Sequence, residues 1–143
     1  MDKYQIINDK GNGIYEVVKE TSKIHYYVNE NTGTVVAVMR DCRFDAEIAI
    51  RRMFPYPIGP IGSRGSLLLK DTYRGKATCL KGDIFDLEKG MIIARRNMLK
   101  KYYRAKIKAY RKFYTDMRSF MVSFDSELDA VLDIEYKLTE KID

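Results

Sequence analysis

One stretch constrains this chain more than any other. Residues 89–114 read KGMIIARRNMLKKYYRAKIKAYRKFY, with ten Lys or Arg and no Asp or Glu. Leu87, Met91, Ala94, Met98, Tyr102, Ala105, Ala109 and Phe113 recur at the three- and four-residue spacing of one helical face. The spacing predicts a long helix with that seam in the core. Arg96, Lys100, Arg104, Lys108 and Arg111 form a second ridge turned away from it. Ile92, Leu99, Tyr103, Ile107, Tyr110 and Tyr114 form a third stripe, apolar and rich in tyrosine. A basic ridge beside aromatics suits phosphates together with stackable bases. The same arrangement also describes a solvated face next to a second packing seam.

Charge along the chain sharpens this reading. Residues 1–88 carry 13 basic and 12 acidic groups, residues 89–122 carry 11 and 1, and residues 123–143 carry 2 and 7. The net charge of +6 is therefore a local device, followed by an acidic tail. A local positive field favours anionic partners: nucleotides, nucleic acid or acidic protein surfaces. With 143 residues the chain is about one domain, and 45% apolar and 32% charged residues are an ordinary globular balance. Met1-Asp2-Lys3-Tyr4 leads straight into a strand pattern, and no apolar run reaches membrane-spanning length. The expectation is a cytoplasmic protein with reduced thiols.

Before the basic stretch the pattern is β-like. Tyr4–Ile7, Ile14–Glu20, Ile24–Asn29 and Thr34–Met39 predict four strands, joined by Gly- and Asn-bearing turns short enough to force antiparallel pairing. From Phe44 a short helix follows, with Ile48 and Met53 toward the core. Pro55, Pro57 and Pro60 alternate with Gly59, Gly62 and Gly65, so residues 54–65 predict an extended, apolar loop that covers the core, meets a partner subunit or closes over a ligand. Residues 67–69 and 73–80 read as a second hairpin. Asp83 is the expected N-cap of the basic helix, and Gly90 within its first turns implies close backbone approach. The helix is expected to end near Ser123, with a second, acidic one starting at Ser126. The fold class is thus α+β: residues 1–80 mainly sheet, residues 83–143 two C-terminal helices. Residues 37–47 (AVMRDCRFDAE) and 78–88 (TCLKGDIFDLE) echo one another as strand, turn and helix start.

Catalytic signatures are sparse. Cys42, Cys79 and His25 are one ligand short of a structural zinc site. Cys79 and His25 lack an evident third group for a nucleophile–base pair. Gly11-Asn12-Gly13 precedes a strand, so it is no phosphate loop, and the acids from Asp125 to Asp133 do not match a calcium loop. The expectation is a non-enzymatic protein without metal or cofactor.

Ala77-Thr78-Cys79, Asp83, Phe85-Asp86, Gly90, Ala94 and Arg95-Arg96 resemble a segment of small phage-encoded proteins. In architecture the chain is similar to the phage anti-Thoeris nucleotide-sponge family, although the proline loop and acidic extension depart from it. Two apolar stripes on one helix, an acidic amphipathic helix and an apolar loop leave surplus apolar surface, so an oligomer, a dimer or higher, is expected. The resemblance implies that it captures a cyclic ADP-ribose-type signal between subunits in the infected bacterial cytoplasm. It also implies ligand contacts from Phe85 and from arginines near Arg95 and Arg104. With the ridge and its neighbouring aromatic, the candidate ligand residues are Phe85, Arg95, Arg96, Lys100, Tyr103, Arg104, Lys108 and Arg111. Two alternatives stand beside this: a nucleic-acid binder or an inhibitor of a host nucleic-acid-binding defence protein, and an interaction protein with no ligand.

Overall fold

A computed structural model describes residues 4–19, 22–53, 69–80 and 82–140. Five strands form one antiparallel sheet in sequence order: β1 (Tyr4–Gly11), β2 (Ile14–Lys19), β3 (Ile24–Asn29), β4 (Thr34–Met39) and β5 (Tyr73–Thr78). Helix α1 (Cys42–Met53) follows β4, and helix α2 (Leu87–Glu140) follows β5. The class is α+β.

Strand alternation decides which face meets α2. The registers align Ile6, Val17, Tyr26, Ala37 and Gly75 in one row across the sheet. That face also carries Val28, Val35 and Ala77, all buried. Helix α2 packs on β5 and β4, at the end of the sheet where the floor is lowest. A Cβ added at Gly75 would fall on the α2 backbone at Ala94 and Met98. One added at Gly90 would lie 2.8 Å from Val35 Cγ2, so the helix approaches closely there too, as its glycine implied. The α2 core seam is Met91, Ala94, Met98, Ala109 and Phe113, with Leu87, Tyr102 and Ala105 half-buried beside it. Cys42, Ala46 and Ile50 of α1 join the same core.

Two sequence expectations are corrected. First, the C-terminal part is one 54-residue helix, not two. Between Met91 and Glu140 there is no Gly or Pro to break it. Ser123, read as its end, donates its hydroxyl to the Ser119 carbonyl one turn back, a bond compatible with a continuing helix. Second, the N-cap is Asp86 rather than Asp83: its Oδ1 accepts the Lys89 N–H at 3.2 Å, and its carbonyl accepts that of Gly90. β5 pairs with β4, and Leu69 is buried outside any strand; the rest of the strand expected at 67–69 lies outside the described residues. The proline-rich loop at 54–65 and residues 67–68 lie outside the described residues.

Candidate functional site: a basic groove beside helix α2

Because α2 covers β4 and β5, the same sheet face is left open at its β1 margin. Ile6, on the buried row, is 52% exposed. Between this open margin and the flank of α2 runs a groove of about 730 Å³. One wall is α2, with Ile92, Leu99, Tyr103 and Ile107 as its apolar part and Arg95, Arg96, Lys100 and Arg104 as its charged part. The opposite rim is Tyr4 and Lys19, which face each other across the β1–β2 pair. Met91 and Tyr26 form the floor.

Five cations border the groove against one carboxylate, Glu88. Among the described residues, Arg95, Arg96, Lys100 and Arg104 form no ion pair. Converging charges of one sign along a cleft raise the local concentration of the opposite ion. Tyr26 is among the largest fully buried side chains, 1% exposed, and it lines the floor of the groove. Burial pushes the Tyr26 phenol up, against the downward pull of the Arg95 charge, so it stays protonated. Tyr103 is braced from behind. Its ring lies 5.2 Å from Tyr102, and Tyr102 meets Tyr73 edge-on at 5.5 Å.

Of the residues expected from sequence, the groove brings together Arg95, Arg96, Lys100, Tyr103 and Arg104. Lys108 and Arg111 continue the exposed ridge along α2 beyond it. Phe85 lines a different hollow, of about 660 Å³, at the start of α2 with Gly33, Cys79 and Ile93. Sequence reasoning missed Tyr4, Lys19, Tyr26 and Glu88. The alternation of β3 marks Tyr26 as inward-facing, but its place under Arg95 depends on where α2 crosses the sheet.

The far face of the sheet holds a separate polar cluster. His25 Nδ1 lies 2.5 Å from Glu16 Oε1, and Asn8 Nδ2 donates to Glu16 Oε2 at 2.9 Å. Burial pushes the Glu16 carboxyl up, but the bonds from His25 and Asn8 and the charge of Arg40 outweigh it and hold it below its usual value. Arg40 donates to the Tyr27 hydroxyl at 2.9 Å. Cys79 has its own contacts, with the Leu80 and Asp83 carbonyls, so His25 and Cys79 serve different neighbours. Both cysteines are free thiols. Among the described residues, no three His, Cys, Asp or Glu side chains gather as a metal set, and no helix is long and apolar enough to cross a membrane.

Comparison with models of protein families, with curated protein sequences and with solved structures gives no match.

Proposed function

We infer that this protein binds a phosphate-bearing small molecule in the groove beside α2, without catalysing a reaction on it. The observation that carries the reading is the gathering of five cations, the four on α2 without ion-pair partners in the protomer among the described residues, in one concave site floored by Tyr26. Its volume falls within the range of small-molecule sites. Arg95 supplies charge-assisted hydrogen bonds to phosphate oxygens, and Lys19 adds a point charge from the opposite rim. Ile92 and the rings of Tyr4 and Tyr26 offer a surface on which a base or ribose can lie.

Two linked phosphates between apolar groups suit such a site, which favours a nucleotide over inorganic phosphate. In its most concrete form the ligand is a cyclic ADP-ribose-type signalling nucleotide. The protein would then act as an oligomeric sponge in phage counter-defence, within the cytoplasm of the infected cell. This part rests on the sequence resemblance. Mass spectrometry of nucleotides released on denaturing the purified protein tests it. A stoichiometric dinucleotide or cyclic nucleotide is the expected result. Protein from nucleotide-rich lysate that releases none, and that takes up none when offered, would overturn it.

A second reading has one observation in its favour: the ridge runs past the groove to Lys108 and Arg111, both exposed. A ridge longer than a mononucleotide suits nucleic acid, or mimicry at a host nucleic-acid-binding protein. Salt separates the two readings. Many phosphate contacts give a steep fall of affinity with salt, whereas one small ligand gives a shallow one.

A further inference from the structure

Among the described residues, nothing packs on the last third of α2. Every residue from Met121 to Glu140 is exposed, although the stretch contains Phe124, Leu128, Val131 and Leu138. A bare helix of that length is marginal in water, because helices in proteins draw most of their stability from packing an apolar face.

The spacing says what packs there. Met121, Phe124, Leu128 and Val131 alternate in steps of three and four, and Leu138 falls one heptad after Val131. The same phase runs backwards without a break through Met117, Tyr114, Tyr110, Ile107 and Tyr103 to Ile93. One stripe of coiled-coil a and d positions therefore spans Ile93 to Leu138, and all its members are exposed or half-buried. Only three of them are charged: Arg96, Lys100 and Glu135. The f positions, diametrically opposite, include Met91, Met98 and Ala105, which pack on the sheet side. The stripe therefore lies mainly on the side of α2 away from the core; Tyr110 and Met117 also reach that core, and Arg96, Lys100, Tyr103 and Ile107 also border the groove.

We propose that a second copy of this chain covers the stripe, with the two α2 helices running antiparallel about a twofold axis between Thr115 and Asp116. Met117 then meets the partner's Tyr114. Moving outward, Met121 meets the partner's Tyr110, Phe124 the partner's Ile107 and Leu128 the partner's Tyr103. At the ends, Val131 lies on the stem of the partner's Lys100, Glu135 pairs with the partner's Arg96, and Leu138 packs on the partner's Ile93. The flanking e and g positions agree: Asp125 falls opposite the partner's Arg104, Glu127 opposite the partner's Lys106, and Ile134 opposite the partner's Leu99. One like-charge pair remains, Arg111 with the partner's Arg118.

Charge selects this orientation. Residues 89–122 are net +10 and residues 123–143 net −5, so antiparallel pairing lays acid on base along both halves. Parallel pairing would instead set Arg96, Lys100 and Glu135 each against its own copy, and Lys106 opposite the partner's Arg111. Like charges juxtaposed in this way disfavour that alternative. A charged pair within the seam also fixes register. The interface is isologous, as a twofold dimer requires. It brings the partner's acidic tail along the Arg96–Tyr103 wall of the groove, while Arg95, at a c position, stays directed to Tyr26. The pairing specifies the oligomer of the preceding section, but its evidence is the heptad and the charges, not the ligand.

Two experiments without ligand test it. Tyr103→Cys with Leu128→Cys on a Cys79→Ser background, oxidised and mapped by peptide mass spectrometry, should give a 103–128 link between chains. Linked 103–103 and 128–128 pairs, or a monomer by light scattering at micromolar concentration, would overturn it. In parallel, Glu135→Arg and Arg96→Glu should each raise the dimer dissociation constant about tenfold or more. The double variant, which restores the pair in reverse, should recover most of the loss. A double variant at least as weak as the worse single one refutes the register.

Discussion

A Cβ placed on Gly75 would lie 2.7 Å from Met98 Cα, so the backbone of α2 rests directly on the backbone of β5. This contact sets the height and angle of the helix over the sheet. It also decides that α2 sits on β4 and β5, with the Tyr4–Lys19 margin of the sheet left to border the groove. Gly75→Ala should push the helix away and destabilise the protein by about 1–3 kcal/mol, the range for overpacked cores. Thermal melting checks it; a wild-type melting temperature would contradict the packing.

The Asp86 cap makes a smaller, local prediction. Asp86→Ala removes the acceptor for the Lys89 N–H and should cost about 1 kcal/mol. Asp83→Ala should change the melting temperature little, since α2 starts at Leu87. A larger loss from Asp83 than from Asp86 would return the cap to the position expected from sequence.

The far-face cluster predicts a pH dependence. Glu16 is held below its ordinary value of 4.5, so its contribution is fully present above that pH and is lost as pH falls through the lowered value. The melting difference between the native protein and Glu16→Gln should be largest above about pH 5 and shrink in more acidic buffer. A difference that is constant down to pH 3 would show that the carboxylate charge plays no part.

The sequence was most informative where spacing carries the signal. The α2 core seam from Leu87 to Phe113 is buried or half-buried at every expected position, because a 3.6-residue period against a sheet leaves little choice. The β2, β3 and β4 strands were equally legible from their alternation and turns. The tail was misread because Ser126 and Asp129 imitate a helix start, and a capping pattern does not interrupt a helix that lacks Gly and Pro. The groove was half legible. Its α2 wall follows from helical geometry, whereas Lys19 and Tyr26 join it only through pairing across three strands and the seat that Gly75 gives the helix.

The central claim is that the groove captures a phosphate-bearing nucleotide, and Arg95 with Tyr26 is the pair to challenge. Neither lies in the proposed dimer seam, whereas Arg96 and Arg104 do, so loss of binding can be read apart from loss of assembly. Calorimetric titration with cyclic ADP-ribose should give saturable binding to the native protein. Each charge-assisted contact contributes about 1.5–3 kcal/mol, so Arg95→Ala with Tyr26→Phe should weaken it by about two decades with the dimer intact. No saturable heat with the native protein, or equal affinity in the double variant, would contradict the account.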